Sequence, residues 1–216
     1  MELQPGHPGM RILIGVLALV LLRWHLWRAF AFLFPASIRT EQESPPDTEP
    51  VPGALEKTHE LLKTLGFAWL GTRLEHPVFG KQLINYDYGN AALGVFASMY
   101  EGLGGKVRIY FLSPTQSGGF VLTASFRRPA RLVAGKYMSG YLEVDDVDRL
   151  LKAHLRRVPE LGGPRGTFDM DGRLAAAREW YLGYGKAEVR QQNAVGLLWT
   201  LGALGMVGAA IFGRSA

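Results

Sequence analysis

The chain contains no cysteine among its 216 residues, which excludes disulfides, thiolate catalysis and cysteine-ligated zinc or iron–sulfur centres. Charge bias is also slight. The net +5 comes from 24 Lys and Arg against 19 Asp and Glu, and Arg11, Arg23, Arg28 and Arg214 of that surplus sit beside apolar ends. Between them, Pro35–Asn193 holds 20 basic and 18 acidic residues. Such a distribution marks membrane topology rather than nucleic-acid binding, so no nucleic-acid partner is expected.

Catalytic signatures are missing too. Gly104-Gly105 and Gly118-Gly119 lie between alternating stretches and lack the lysine and following helix of a phosphate loop. Ser113, Ser117 and Ser125 fit no nucleophile elbow. His154 falls in phase with Leu150, Leu151 and Val158, but no second histidine stands at ligand spacing, and a satisfied core or boundary histidine is expected. His59, in the middle of another helical stretch, reads the same way. Asp169-Met170-Asp171-Gly172 opens like a calcium loop, yet Trp180 occupies the position where the closing glutamate belongs. An N-cap role for Asp171 explains the acid without an ion. No catalytic residue, metal or cofactor is assigned on these grounds.

What the chain does have is a long apolar end. Ala194–Phe212 runs nineteen residues with no charge or proline, and Thr200 is its one strong hydrogen-bonding side chain. As a helix it covers roughly 29 Å, the thickness of a bilayer's hydrocarbon core. It has no polar face, so it reads as a transmembrane helix. Gly202, Gly205, Ala209 and Gly213 form a row of small residues along it. Such a row suits close packing, either against another span of the chain or against a second copy.

The other apolar segment is less regular. Ile12–Leu22 is followed by Arg23, Trp24, Trp27 and Arg28. A span from Met10 to Trp27 with an aromatic belt fits, and so does a signal peptide cleaved after Ala31, although its basic leader is thin. Residues 1–34 therefore form a tail and an N-terminal span. Residues 35–53, rich in Glu, Asp and Pro, read as an extended linker.

Residues 54–193 read as one α+β domain. Leu55–Leu65 is an amphipathic helix stopped at Gly66, with Phe67 folding back on Leu62. Phe67–Leu74, Leu83–Tyr88, Ala91–Tyr100, Lys106–Leu112 and Phe120–Phe126 alternate with period two, and short links argue an antiparallel meander of about five strands with one face on amphipathic helices. Tyr137–Val144 adds an edge strand. A helix capped by Asp145 runs to Val158, and a last one runs from about Gly172 through Trp180 and Tyr181 until Gly183 and Gly185 hinge or break it. Residues 194–213 close the chain as the C-terminal span.

Arg127, Arg128, Arg131 and Lys136 form a basic cluster that reads as a solvated face or as a contact to anionic lipid. The whole is expected to be an integral membrane protein with its domain on the cytoplasmic side. Its leading function is interaction or assembly rather than catalysis, with the bilayer and a membrane protein or second copy as partners. The alternative is a membrane-bound enzyme or a small-ligand or lipid binder, with a pocket between sheet and helices.

Overall fold

The structure, a computed structural model, describes residues 8–44 and 51–212. Helix α1 (Pro8–Leu33) leads through a short turn into strand β1 (Arg39–Ser44), and α2 (Gly53–Thr64) follows. Next come β2 (Ala68–His76), β3 (Leu83–Asn90), β4 (Val95–Glu101), β5 (Val107–Pro114), β6 (Phe120–Ala124), β7 (Arg131–Val133) and β8 (Tyr137–Tyr141). The chain ends with α3 (Val147–Leu155), α4 (Met170–Leu182) and α5 (Gly185–Phe212).

All eight strands form one sheet in the order β1-β2-β3-β4-β5-β6-β8-β7. The pair β6–β8 is parallel and the others are antiparallel. This corrects the expected five-stranded antiparallel meander to a larger, mixed sheet. Arg39–Ser44, read as linker, is its first edge: an edge strand pairs on one side only, so a run of polar residues suffices. The rest of that linker, residues 45–50, lies outside the described residues. Tyr137–Tyr141 is an interior strand rather than an edge, because the chain leaves β6, passes Pro129, and returns with β7 outside β8. Gly119 permits this close approach. A Cβ there would lie 1.4 Å from the Lys136 carbonyl oxygen, which accepts from the Phe120 N–H at 3.1 Å.

Both faces of the sheet are covered, not one. On the first, Leu55 and Leu62 of α2 and Val147, Leu150 and Leu151 of α3 pack on Tyr88, Ala97, Met99, Ile109 and Phe111. On the second, Ala176 of α4 packs among Leu70, Phe96, Leu112, Leu122 and Tyr137. β4 to β6 carry apolar side chains at both parities, and such strands are buried on both sides.

Local stops follow the sequence closely, with two shifts. Gly66 takes a left-handed φ of 80°, and Phe67 N–H donates to Leu62 O at 3.0 Å. The cap of α3 is Asp146 rather than Asp145, accepting from Arg149 N at 3.0 Å. Asp169, not Asp171, caps α4, accepting from Gly172 N at 2.7 Å. Gly183 breaks the chain between α4 and α5, and Gly185 gives room to the Trp180 ring, 2.5 Å from where a Cβ would be.

The stretches Gly9–Leu33 and Gly185–Phe212 are long and apolar enough to cross a membrane. They lie side by side and antiparallel. Arg28 donates to Gln192 O at 3.0 Å, His25 stacks on Trp199 at 5.9 Å, and Ala18 and Ala203 are fully buried. Gly196 lets the helices close: a Cβ there would stand 2.3 Å from Arg28 Cβ. α5 is unbroken, so its first turns pack under the domain and the rest lies beside α1.

Candidate functional site

Strand parity and register build a polar row on the α4 face. Asp87 pairs with Ser98 across β3–β4, and Ser98 pairs with Tyr110 across β4–β5, so three polar side chains stand abreast. Arg73 of β2 joins the row, and Arg173 descends onto it from α4. Arg73, Asp87, Ser98 and Arg173 are all buried.

Their contacts are dense. Arg73 Nε donates to Asp87 Oδ2 at 2.7 Å, Nη1 to Glu75 Oε1 at 2.5 Å and Nη2 to the Tyr110 hydroxyl at 3.0 Å. Arg173 Nη2 donates to Ser98 Oγ at 2.9 Å and to the Tyr110 hydroxyl at 2.8 Å, with Nε 3.3 Å from Asp87. Ser98 donates to Asp87, and Tyr181 donates to Glu75 at 2.8 Å. Burial is the largest influence on Arg73 and opposes its charge, but Asp87, Tyr110 and Glu75 more than offset it, leaving its pKa well above the ordinary value. Burial first, then Glu75, pushes the Tyr181 phenol well up.

A second knot ties α5 to the sheet. Glu188, fully buried in the first turn of α5, accepts from Tyr137, Ser139 and Arg128. The Tyr137 hydroxyl also accepts from Trp180 Nε1 at 2.9 Å. Burial and then the Glu188 carboxylate raise the Tyr137 pKa.

Between these knots lies a cavity of about 170 Å³. Its walls include Leu83, Leu122, Phe126, Ala177 and Trp180, while Glu75, Tyr110, Arg128 and Arg173 supply polar groups. Two guanidinium nitrogens of these residues, Arg173 Nη1 and Arg128 Nε, are buried without a hydrogen-bond partner among the protein atoms, as is Asn85 Oδ1. An unpaired buried donor costs about 1–3 kcal/mol. Alternating strand directions place Glu75, Leu83, Tyr100 and Phe126 at one end of the sheet, the end from which the β2–β3 loop reaches α1.

The residues singled out from sequence fall elsewhere. His154 is fully buried under α3, between Ser113 Oγ at 3.0 Å and Thr123 Oγ1 at 3.1 Å. Ser113 gives its proton to Gly94 O at 2.7 Å, so His154 Nε2–H donates to Ser113 and Nδ1 accepts from Thr123. This is a satisfied core histidine, and Ser113 is not held as a nucleophile. His59 is buried and meets the Tyr88 hydroxyl at 2.8 Å. Asp169 is occupied by capping and by Thr167, and among the described residues no cluster of His, Asp and Glu is set to hold a metal ion.

The basic cluster divides. Arg127, Arg131 and Lys136 are exposed, whereas the Arg128 side chain is 6 % exposed, paired with Glu188 and laid over the Trp180 ring. Gly202, Gly205 and Ala209 lie on the exposed side of α5, and a Cβ at either glycine would meet nothing within 4 Å. α1 packs on the Gly196–Ala203 side instead. Gly213 is outside the described residues.

Sequence reading missed Arg73, Asp87, Arg173 and Glu188. Its one available signal was Asp87 between Tyr86 and Tyr88 in a strand, a charge at a position that a covered sheet must bury.

Fold and site together define a three-layer α+β domain with a charge-floored cavity, joined to two long apolar helices. No protein-family model, no curated protein and no solved structure matches the chain.

Proposed function

We propose that this is an integral membrane protein, anchored by α1 and α5, whose domain binds a small ligand in the cavity beneath α4. The carrying observation is that the guanidinium side chains of Arg173 and Arg128 line, with Glu75 and Tyr110, a space whose other walls are largely apolar. A ligand of roughly benzene size or slightly larger fits that volume. The donors favour an anionic or hydrogen-bond-accepting group on it, and Leu83, Leu122 and Phe126 favour an apolar body.

The membrane anchor rests on length and composition, and on the apolar side chains that both helices leave exposed, among them Ile12, Leu13, Leu19, Leu198, Leu204 and Ile211. The domain lies on the cytoplasmic side in this reading. Arg23, Arg28 and Arg39 flank α1 there, and Arg178, Lys186 and Arg190 flank α5, against Arg11 and Arg214 opposite. Protease added to intact cells then leaves the domain whole, and cleavage without permeabilisation reverses the sidedness. Arg127 and Arg131 remain open to anionic headgroups, each contributing on the order of 1 kcal/mol near such a surface, whereas Lys136 stands beside Phe120 at the other end of the sheet and donates to Ser117 O.

Ligand binding is tested by purifying the full chain from its native membranes in mild detergent and identifying bound small molecules by mass spectrometry. An Ala177→Leu variant, which fills the cavity from α4, serves as reference. A molecule with an acidic or accepting group should accompany the wild-type protein and be depleted in the variant. Equal recovery from both would remove the cavity from the function and leave assembly at the membrane as the reading.

A further inference from the structure

The loop joining β2 and β3 ends in an exposed apolar tip. Val78 is 52 % exposed and Phe79 50 %, side by side at the end of the loop. This tip does not project into open space. The Phe79 ring meets Phe30 of α1 edge-on at 4.8 Å, and a Cβ on Gly80 would touch the Trp27 side chain at 3.5 Å. Leu33 and Phe34, each 52 % exposed, extend the same apolar rim along the end of α1.

The level of this contact can be read from α5. Arg190 donates to Phe32 O at 3.4 Å and Arg28 donates to Gln192 O, so residues 28–32 of α1 lie beside residues 190–192. With Asn193 they are the last polar residues before the uncharged Ala194–Phe212 stretch. Phe30 and Trp27 therefore stand where the polar surface of the helix pair gives way to its apolar length. The tip stands with them, and exposed Lys81 follows it. Aromatic side chains at the boundary with a lysine able to reach outward are what a bilayer interface accommodates.

We propose that Val78 and Phe79 form a third membrane contact, bedded in the interfacial layer of the bilayer beside α1. This rests on the reading of α1 and α5 as membrane spans. The contact has a consequence for the cavity, because Leu83 and Asn85 line it and directly follow the tip. Lipid holding the tip also holds that wall.

The absence of cysteine makes a clean test possible, since any introduced thiol is the only one. The full chain is prepared as three variants, Val78→Cys, Leu204→Cys and Ala91→Cys, each labelled with a polarity-sensitive dye in phosphatidylcholine–phosphatidylglycerol vesicles. Leu204 lies within the apolar part of α5, and exposed Ala91 lies at the opposite end of the sheet from the tip. Nitroxide lipids labelled near the headgroup should quench the Val78 dye several-fold more than the Ala91 dye, with blue-shifted emission. Deep nitroxides should quench the Leu204 dye. Quenching at Leu204 with Val78 matching Ala91 would overturn the hairpin contact while leaving the spans in place. A blue shift at Val78 without lipid quenching would overturn it too, in favour of a protein contact. No quenching at Leu204 would remove the membrane reading and the hairpin contact together.

Discussion

Beneath α2 and α3 the sheet presents Tyr88, Ala97, Met99, Ile109 and Phe111, while beneath α4 the same strands present Asp87, Ser98 and Tyr110. Neighbouring residues of one strand thus serve opposite chemistries. The first face is closed by apolar area, a non-directional force that needs only fit. Its two buried helix histidines, His59 and His154, are hydrogen-bonded to side chains of that face. The second face buries Arg73, Arg173 and Asp87, which holds only while every charge keeps its partner. The expensive face is the one with the cavity. Stability alone would be served as well by apolar residues there, and the proposed ligand site lies on this side.

The largest test of this contrast is Asp87→Asn. It leaves Arg73 and Arg173 short of their shared anion, and the full chain in detergent should lose about 3–5 kcal/mol on urea unfolding. Met99→Ala, one strand over on the apolar face, should lose about 2–5 kcal/mol by opening a cavity. Only the first should also weaken ligand retention. Loss of ligand in both would mean that the two faces are not functionally separate.

The next effect belongs to the apolar face. Burial, and secondarily nearby Arg157, lowers the His154 pKa to about 3. An unfolded histidine titrates near 6.5, so between those values the unfolded chain binds the extra proton and stability falls as pH falls. From pH 7.5 to 5 this group should account for a loss of about 2 kcal/mol. A His154→Gln variant should show a flatter profile across that window, whatever its absolute stability. An unchanged slope would place the titration elsewhere.

The smallest effect contrasts the two sides of α5. Gly196→Leu should pry α1 from α5, because Arg28 Cβ already occupies the space of a side chain there. Gly205→Leu meets nothing and should leave unfolding within about 0.5 kcal/mol of wild type. If the exposed row Gly202, Gly205 and Ala209 serves a second copy, Gly205→Leu should instead reduce crosslinking between chains.

Much of the architecture was legible from local rules. The stop at Gly66 with Phe67 folded onto Leu62, the strands from Leu83 to Ala124 and the apolar helix at the end each follow from short patterns. β1 was not legible, since RTEQES carries no apolar period and owes its form to the exposed edge of β2. The insertion of β8 between β6 and β7 was equally hidden, because strand order is set by where a returning chain finds an unpaired edge. The caps moved by one or two positions because Asp145-Asp146 and Asp169-Met170-Asp171 each offer two carboxylates, and only backbone geometry selects one.

The sequence by itself determined the periods, the stops and the two apolar lengths, since these arise from interactions within a few residues along the chain. The tertiary structure alone decided which face was covered and which charges met. Ser98 and Arg173 stand 75 positions apart and share one hydrogen-bond network because a helix happens to cross a particular strand pair. Glu188 carries no distinguishing signal in the sequence, and becomes a buried anchor only because Tyr137, Ser139 and Arg128 are brought around it. Long-range pairing of this kind depends on topology, and side-chain type does not encode topology residue by residue.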